Sequence, residues 1–343
     1  MTLALALGLA APASAQGPDG AGPALTSSSA VRTQPERGRA ATVGFRSFVL
    51  HDPARSYVAE TGPASSSFPR PELRPIRVAL WYPAERAVSA PVTRSDYLRL
   101  ADEERALTDW SPAEVVAFED SLVRALESRG IDPDRARARA EQPMEAEWEA
   151  PPADVAGPLV LYLPEIGESV GESAEALERL GADGAIVAAL PSFGVTPDLE
   201  IRDEAGLEAR ARDAAFVLGV LLAEHAGRID GVALVGRGWG AAAAAAVAMR
   251  RPEVEALVAL GGSAGPFTSL ADYDPTRVLV PLLSVRSESL ADAIPFAGER
   301  RIETPPGDAP PRLEGRVEGA VRAFLSARAG GADGSRAISG GGG

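Results

Sequence analysis

The stretch Leu234–Met249, LVGRGWGAAAAAAVAM, leaves the backbone little freedom. Its apolar opening reads as a buried strand. Gly236, Gly238 and Gly240 then permit a turn too sharp for Cβ atoms. The run Ala241–Ala246 follows at once. Alanine is the best helix former and is small enough to bury on every side. A buried strand turning directly into a buried helix fits a mainly parallel sheet covered on both faces.

The rest of the chain keeps that rhythm. Thr42–Leu50 and Ile76–Ala84 read as strands that could pair through a Pro-rich connection. After residue 152, strands are expected at Pro158–Pro164, Gly184–Pro191, Asp230–Gly236, Val254–Gly262, Thr276–Val285 and Arg300–Pro305. Helices are expected at Ser173–Gly181, Asp203–Gly227, after Gly238 and at Pro311–Gly330. Alternating strands and helices predict an α/β fold. Residues 94–152 interrupt the series with charged, helical patterning and read as a helical insertion, a lid. Within it Ser111 and Glu114 have capping-box spacing, and Gly130 is a stop. Residues 41–330 form the expected domain, and 331–343 an expected disordered tail.

The start predicts export. An apolar run from Leu3 to Ala11 precedes Ala13-Ser14-Ala15, a small-x-small cleavage pattern, so residues 1–15 read as a signal peptide and 16–40 as a flexible linker. The leading region carries no positive charge, since the first Arg is Arg32. The expected location is periplasmic or extracellular. The leading apolar run is too short to span a bilayer, and no transmembrane segment is expected elsewhere.

Composition removes several chemistries. The 343 residues carry a net charge of −14, which repels phosphate backbones, so nucleic acid is not an expected partner. There is no Cys, hence no thiolate nucleophile and no Cys-type zinc site. There is also no Lys; every basic residue is Arg. Neither a Ser–Lys dyad nor a Lys-bearing phosphate loop at Gly167–Ser173 is open to it. No metal or cofactor is expected: the acidic run Ala271–Pro275 is too short for a calcium loop.

A strand, then G-x-x-x-G, then a helix is the outline of a nucleophile elbow. With the order of strands around it, the sequence resembles the α/β-hydrolase superfamily, and within it the platelet-activating-factor-acetylhydrolase-like and dienelactone-hydrolase-like branch. Val43–Glu85 resembles that branch's opening hairpin, Gly157–Ser169 its oxyanion-loop strand, and Arg210–Leu222 the helix before the elbow. The resemblance implies the α/β-hydrolase fold and carboxylic ester hydrolysis. It implies a nucleophile at Gly238, and oxyanion-hole donors from the backbone of Trp239 and of Glu165 or Ile166.

The working atoms do not follow. Gly238 has no side chain, and Pro164-Glu165 stands where the family carries His-Gly. The family's acid would fall near Gly261 or Leu290, with Glu288 and Asp292 out of step, and no His follows the last strand. The two histidines are expected away from the sheet's carboxyl edge. His51 reads as a surface or turn residue, and His225 as a helix C-terminal residue favoured by the dipole. A second G-x-S-x-G at Gly261–Gly265 offers Ser263, but Pro266 follows and no helix does. Ser169 and Ser173 read as loop and N-cap residues. Removing triad members costs roughly 10⁴ to 10⁶ in rate. The sequence therefore points to an inactive hydrolase homologue with a pocket for an apolar or ester-like ligand or a protein partner. An active esterase with relocated residues, such as Ser263, and a structural or partner-binding envelope module stay open.

Overall fold

The computed structural model describes residues 42–57, 72–85, 89–106, 110–191, 203–261, 277–287, 300–304 and 312–335. The expected signal peptide, the linker and Ser263, Glu288 and Asp292 lie outside them. The strands are β1 (Thr42–Tyr57), β2 (Glu72–Ala84), β3 (Pro91–Thr93), β4 (Pro143–Trp148), β5 (Gly157–Leu163), β6 (Ile186–Ala189), β7 (Ile229–Arg237), β8 (Ala256–Leu260), β9 (Leu282–Ser287) and β10 (Arg300–Thr304). The helices are α1 (Arg94–Ala106), α2 (Pro112–Glu127), α3 (Pro133–Ala140), α4 (Ala174–Ala182), α5 (Glu204–Glu224), α6 (Trp239–Arg250) and α7 (Gly315–Ser335). Helix α7 runs beyond Gly330, so the first residues of the expected tail are helical.

The strands form one sheet in the order β10-β9-β8-β7-β5-β6-β2-β1-β4-β3. The hairpin β1–β2 is antiparallel, as is β2 against β6, while β5 through β10 pair in parallel. Strands β5, β6 and β8 are buried on both faces and read as continuous apolar runs; Leu159, Val160, Leu161 and Tyr162 of β5 are all fully buried. Alternate residues serve opposite layers. Leu159, Leu161 and Leu234 join the core beneath α5 and α6. Val160, Tyr162 and Val235 join the core that includes Leu177 and Leu180 of α4 and Val321 of α7. Two forked ion pairs tie those last two helices together: Arg179 to Glu318, and Arg322 to Asp183.

The insertion corrects the all-helical expectation. Helices α1, α2 and α3 form, and the Ser111–Glu114 capping box is present. The chain then returns as β4, which pairs in parallel with β1, and β3 adds to β4. The Met-Glu-Ala-Glu-Trp alternation of Met144–Trp148 carried that strand signal. The insertion widens the sheet as well as adding helices. It is fixed there by aromatic packing of Phe45 against Trp81, Tyr97 and Trp148, with ring centroids 4.9, 5.4 and 5.0 Å apart. A hydrogen-bond chain crosses the same seam. Trp81 Nε1 donates to Tyr97 at 2.9 Å, Tyr97 donates to Glu178 at 2.8 Å, and the Ala146 amide donates to Glu178 at 2.6 Å.

Burial raises the Glu178 carboxyl above its ordinary value of 4.5, against the opposing hydrogen bonds from Tyr97 and Ala146. The folded state thus holds this proton more tightly than the unfolded chain does. The associated stability is complete below about pH 4.5 and is lost as pH rises through the folded-state value. Glu178→Gln removes that titration. Its stability relative to wild type is expected to improve from about pH 4 to about pH 7, read from urea midpoints. A difference that does not change with pH contradicts this.

Candidate functional site

From β5 the chain goes to β6 on one side of the sheet, and then crosses to β7 on the other. Ligand crevices of open α/β sheets lie at such a reversal, outside the carboxyl ends of the strands. The loop after β5 and the turn after β7 meet there.

The turn after β7 has the geometry its glycines predict. Gly238 sits at φ 50°, ψ −115°, in the strained region that L side chains rarely adopt. Its amide donates to the Leu260 carbonyl at 2.9 Å, anchoring the turn to β8. A Cβ on Gly236 would stand 2.4 Å from the Ala241 Cα, and one on Gly240 would stand 2.0 Å from the Leu163 carbonyl oxygen. Both obstacles are backbone, so neither position admits a side chain. Helix α6 starts at Trp239 and is buried from Gly240 through Met249. The turn is a sharp strand-to-helix bend whose summit, Gly238, carries no side chain.

Every amide that the sequence nominates for the oxyanion hole is engaged by a carboxylate of the chain itself. Glu165 Oε2 accepts from the Trp239 amide at 3.3 Å, and Glu165 Oε1 accepts from the Ile166 amide at 2.7 Å. The Glu165 amide donates to Glu168 Oε2 at 3.1 Å, and Arg237 Nη1 donates to the same oxygen at 2.5 Å. The Arg237–Glu168 pair is buried on both sides. Gly238, the N-cap of α6, has no side chain to give, so Glu165 supplies the anion that a helix N-terminus attracts. Pro164 donates nothing; its carbonyl accepts from Arg210 at 2.6 Å. The sequence carried the signal in two glutamates three positions apart, Glu165 and Glu168, facing an arginine beside the elbow centre.

The neighbouring carboxyl edge holds paired charge. Arg74 forks onto Asp213 with both bonds at 2.7 Å, and Arg55 reaches Asp213 and Asp52 at 2.6 Å each. Arg99 reaches Glu103 at 2.9 Å. Buried pairs of this kind are costly to break, because the partner left behind is an uncompensated charge.

The histidines do not complete a triad. His51 corrects the expectation in one respect: β1 runs parallel to β4 and opposite to β2, which places His51 at the carboxyl edge. It is exposed, however, and β5, β6 and β2 lie between its strand and β7, a separation of about 19 Å at ordinary strand spacing. His225 is the C-cap of α5, at the opposite edge of the sheet. Burial, and then Arg46, lower its pKa. Ser169 caps the 3₁₀ turn Val170–Ser173 through the Gly171 amide at 3.0 Å. Ser173 precedes α4 without a side-chain cap bond, and its hydroxyl meets the Tyr162 hydroxyl at 2.9 Å instead.

Among solved structures, a ferulic acid esterase from Streptomyces cinnamoneus is similar at 21% identity, with a TM-score of 0.52 over 79% of this chain and 77% of that one. The chain has the α/β-hydrolase fold. A cold-adapted esterase from an Arctic intertidal metagenomic library is similar at 14% identity, with a TM-score of 0.46 over 85% of this chain and 97% of that one. No protein-family model matches the sequence. No curated protein matches it either.

Two substitutions report on this arrangement. Gly238→Ser forces a side chain into the strained conformation and is expected to lower stability by about 1 kcal/mol while producing no esterase activity. Glu165→Ala removes the anion from the α6 N-terminus and is expected to cost about 1 kcal/mol, as loss of a helix cap does. Urea unfolding measures both, and esterase turnover in Gly238→Ser contradicts the assignment.

Proposed function

We propose that the chain is a non-hydrolysing α/β-hydrolase-fold protein that uses the inherited scaffold for binding. The observation that carries this is the Glu165 carboxylate on the Trp239 and Ile166 amides. An oxyanion hole works by aiming unfilled donors at developing negative charge. Here those donors already hold a negative charge, and an incoming ester carbonyl would meet like charge instead. The elbow supplies no attacking oxygen, and no imidazole stands near it among the described residues. These defects reinforce one another: a hydroxyl restored at the elbow would still lack a base, and a restored base would still face a filled hole. An acyl- or ester-like ligand would be held in this crevice by contacts other than its carbonyl.

A fluorophosphonate probe tests the reading, because covalent capture needs an activated hydroxyl. No labelling above a heat-denatured control is expected. Stoichiometric labelling would overturn the proposal, and labelling mapped to Ser263 would establish the relocated nucleophile.

We further propose that the protein works outside the cytoplasm, from the apolar run and the Ala13-Ser14-Ala15 pattern. N-terminal sequencing of the exported chain is expected to begin at Gln16. Full-length protein confined to the cytosol refutes export.

A further inference from the structure

The insertion reaches the loop after β5 through α1. That helix buries Tyr97, Leu100 and Glu104, which recur at i, i+3 and i+7 and so share one face. Two of the three are apolar in body. A buried carboxylate in the third place needs hydrogen-bond donors, because burying it without them is costly. Glu104 finds them on the loop: its Oε1 accepts from the Val170 amide at 3.0 Å and from the Ser169 hydroxyl at 3.3 Å.

Helix and loop also touch through their backbones. A Cβ on Gly171 would stand 2.0 Å from the Tyr97 carbonyl oxygen. The helix itself is fixed from several sides. Tyr97 donates to Glu178 of α4 at 2.8 Å, and the Trp148 indole donates to Asp96 at 3.3 Å. Arg99 pairs with Asp96 at 3.1 Å and with Glu103 at 2.9 Å, and Arg77 of β2 stands 3.9 Å from Glu103.

From Ser169 the contacts continue to α6. The preceding residue, Glu168, closes a turn onto Glu165: its amide donates to the Glu165 carbonyl at 3.1 Å, and its carboxylate accepts from the Glu165 amide at 3.1 Å. Glu165 then accepts from the Trp239 amide. As the first amide of a helix, Trp239 N–H has no intrahelical acceptor, so its protection depends on Glu165. The Gly238 amide, one residue earlier, is held from the other side, by Leu260 of β8.

We propose that α1 is an autoinhibitory clamp: through Glu104 it holds the loop that keeps Glu165 on the Trp239 amide. A partner or ligand that lifts α1 releases that amide. The clamp rests on the reading of the filled amides given above. Glu104 is a positioning residue, acting on Trp239 only through the loop.

Residue-resolved amide hydrogen exchange of the full chain tests this. In Glu104→Ala the amides of Val170, Glu165 and Trp239 are expected to exchange about tenfold faster, the order of one lost hydrogen bond. Those of Gly238 and Leu234 are expected to keep wild-type rates. Glu104→Gln keeps an acceptor and is expected to restore most of the Trp239 protection. Ser169→Ala removes one of the two donors to Glu104; it is expected to move the same three amides the same way, and it serves if Glu104→Ala folds poorly. Glu165→Ala is expected to accelerate Trp239 by itself. If it does while Glu104→Ala and Ser169→Ala accelerate Val170 alone, the clamp is overturned and the filled amide stands. If Glu165→Ala leaves Trp239 unmoved, the filled-amide reading falls and the clamp with it. Equal acceleration at Gly238 and Leu234 in the Glu104 and Ser169 variants means general loosening and also overturns the clamp.

Discussion

The contact on which the site depends is between backbones. Gly240 brings the start of α6 so close to the end of β5 that a single added carbon would strike the Leu163 carbonyl. Gly236 clears the same corner from the strand side. These two approaches force the chain to reverse within the residues Arg237–Trp239, which puts Gly238 at positive φ and aims the first amide of α6 at the loop after β5. The alanine run follows from the same requirement, since a helix this close to a sheet has room for methyl groups and little more. The constraint is one of shape and holds whether or not a reactive oxygen stands at the summit.

Electrostatics then decides what fills the space. A helix N-terminus presents amides and a partial positive charge. In a hydrolase that potential stabilises an oxyanion formed in passing. In this chain Glu165 accepts from the first amide of α6, and Glu168, held by Arg237, fixes the loop that carries it. The buried arginines nearby extend the pattern: Arg74 on Asp213, and Arg210 on the Pro164 carbonyl. With no lysine in the sequence, every one of these cations is a planar guanidinium able to fork onto a carboxylate.

The fold was legible because its signals are local. Apolar runs such as Leu159–Leu163 and turn glycines at Gly236 and Gly240 mark elements without knowledge of the tertiary structure. The empty elbow was equally legible, since a missing side chain needs no coordinates. Strand β4 was hidden by its setting: a short alternating run just after three charged helices reads as more helix unless its pairing with β1 is known. The Glu165 bond to the Trp239 amide was hidden for another reason. The two residues are far apart in sequence, and only the β5–β7 pairing brings their loops together. His51 shows the converse error, because the direction of β1 relative to the parallel strands decides which edge it occupies.

The margin of the sheet built by the insertion has a further consequence. Without β4, the long strand β1 would present a row of open amides and carbonyls to any extended chain. At its start, Val43–Phe45, that side is paired with β4 instead, and beyond that lies β3, three residues long and opening on a proline that cannot donate to a neighbour. That stretch of rim is a poor template for cross-strand polymerisation, which matters for a chain whose strands β6 and β8 are made wholly of isoleucine, valine, leucine and alanine.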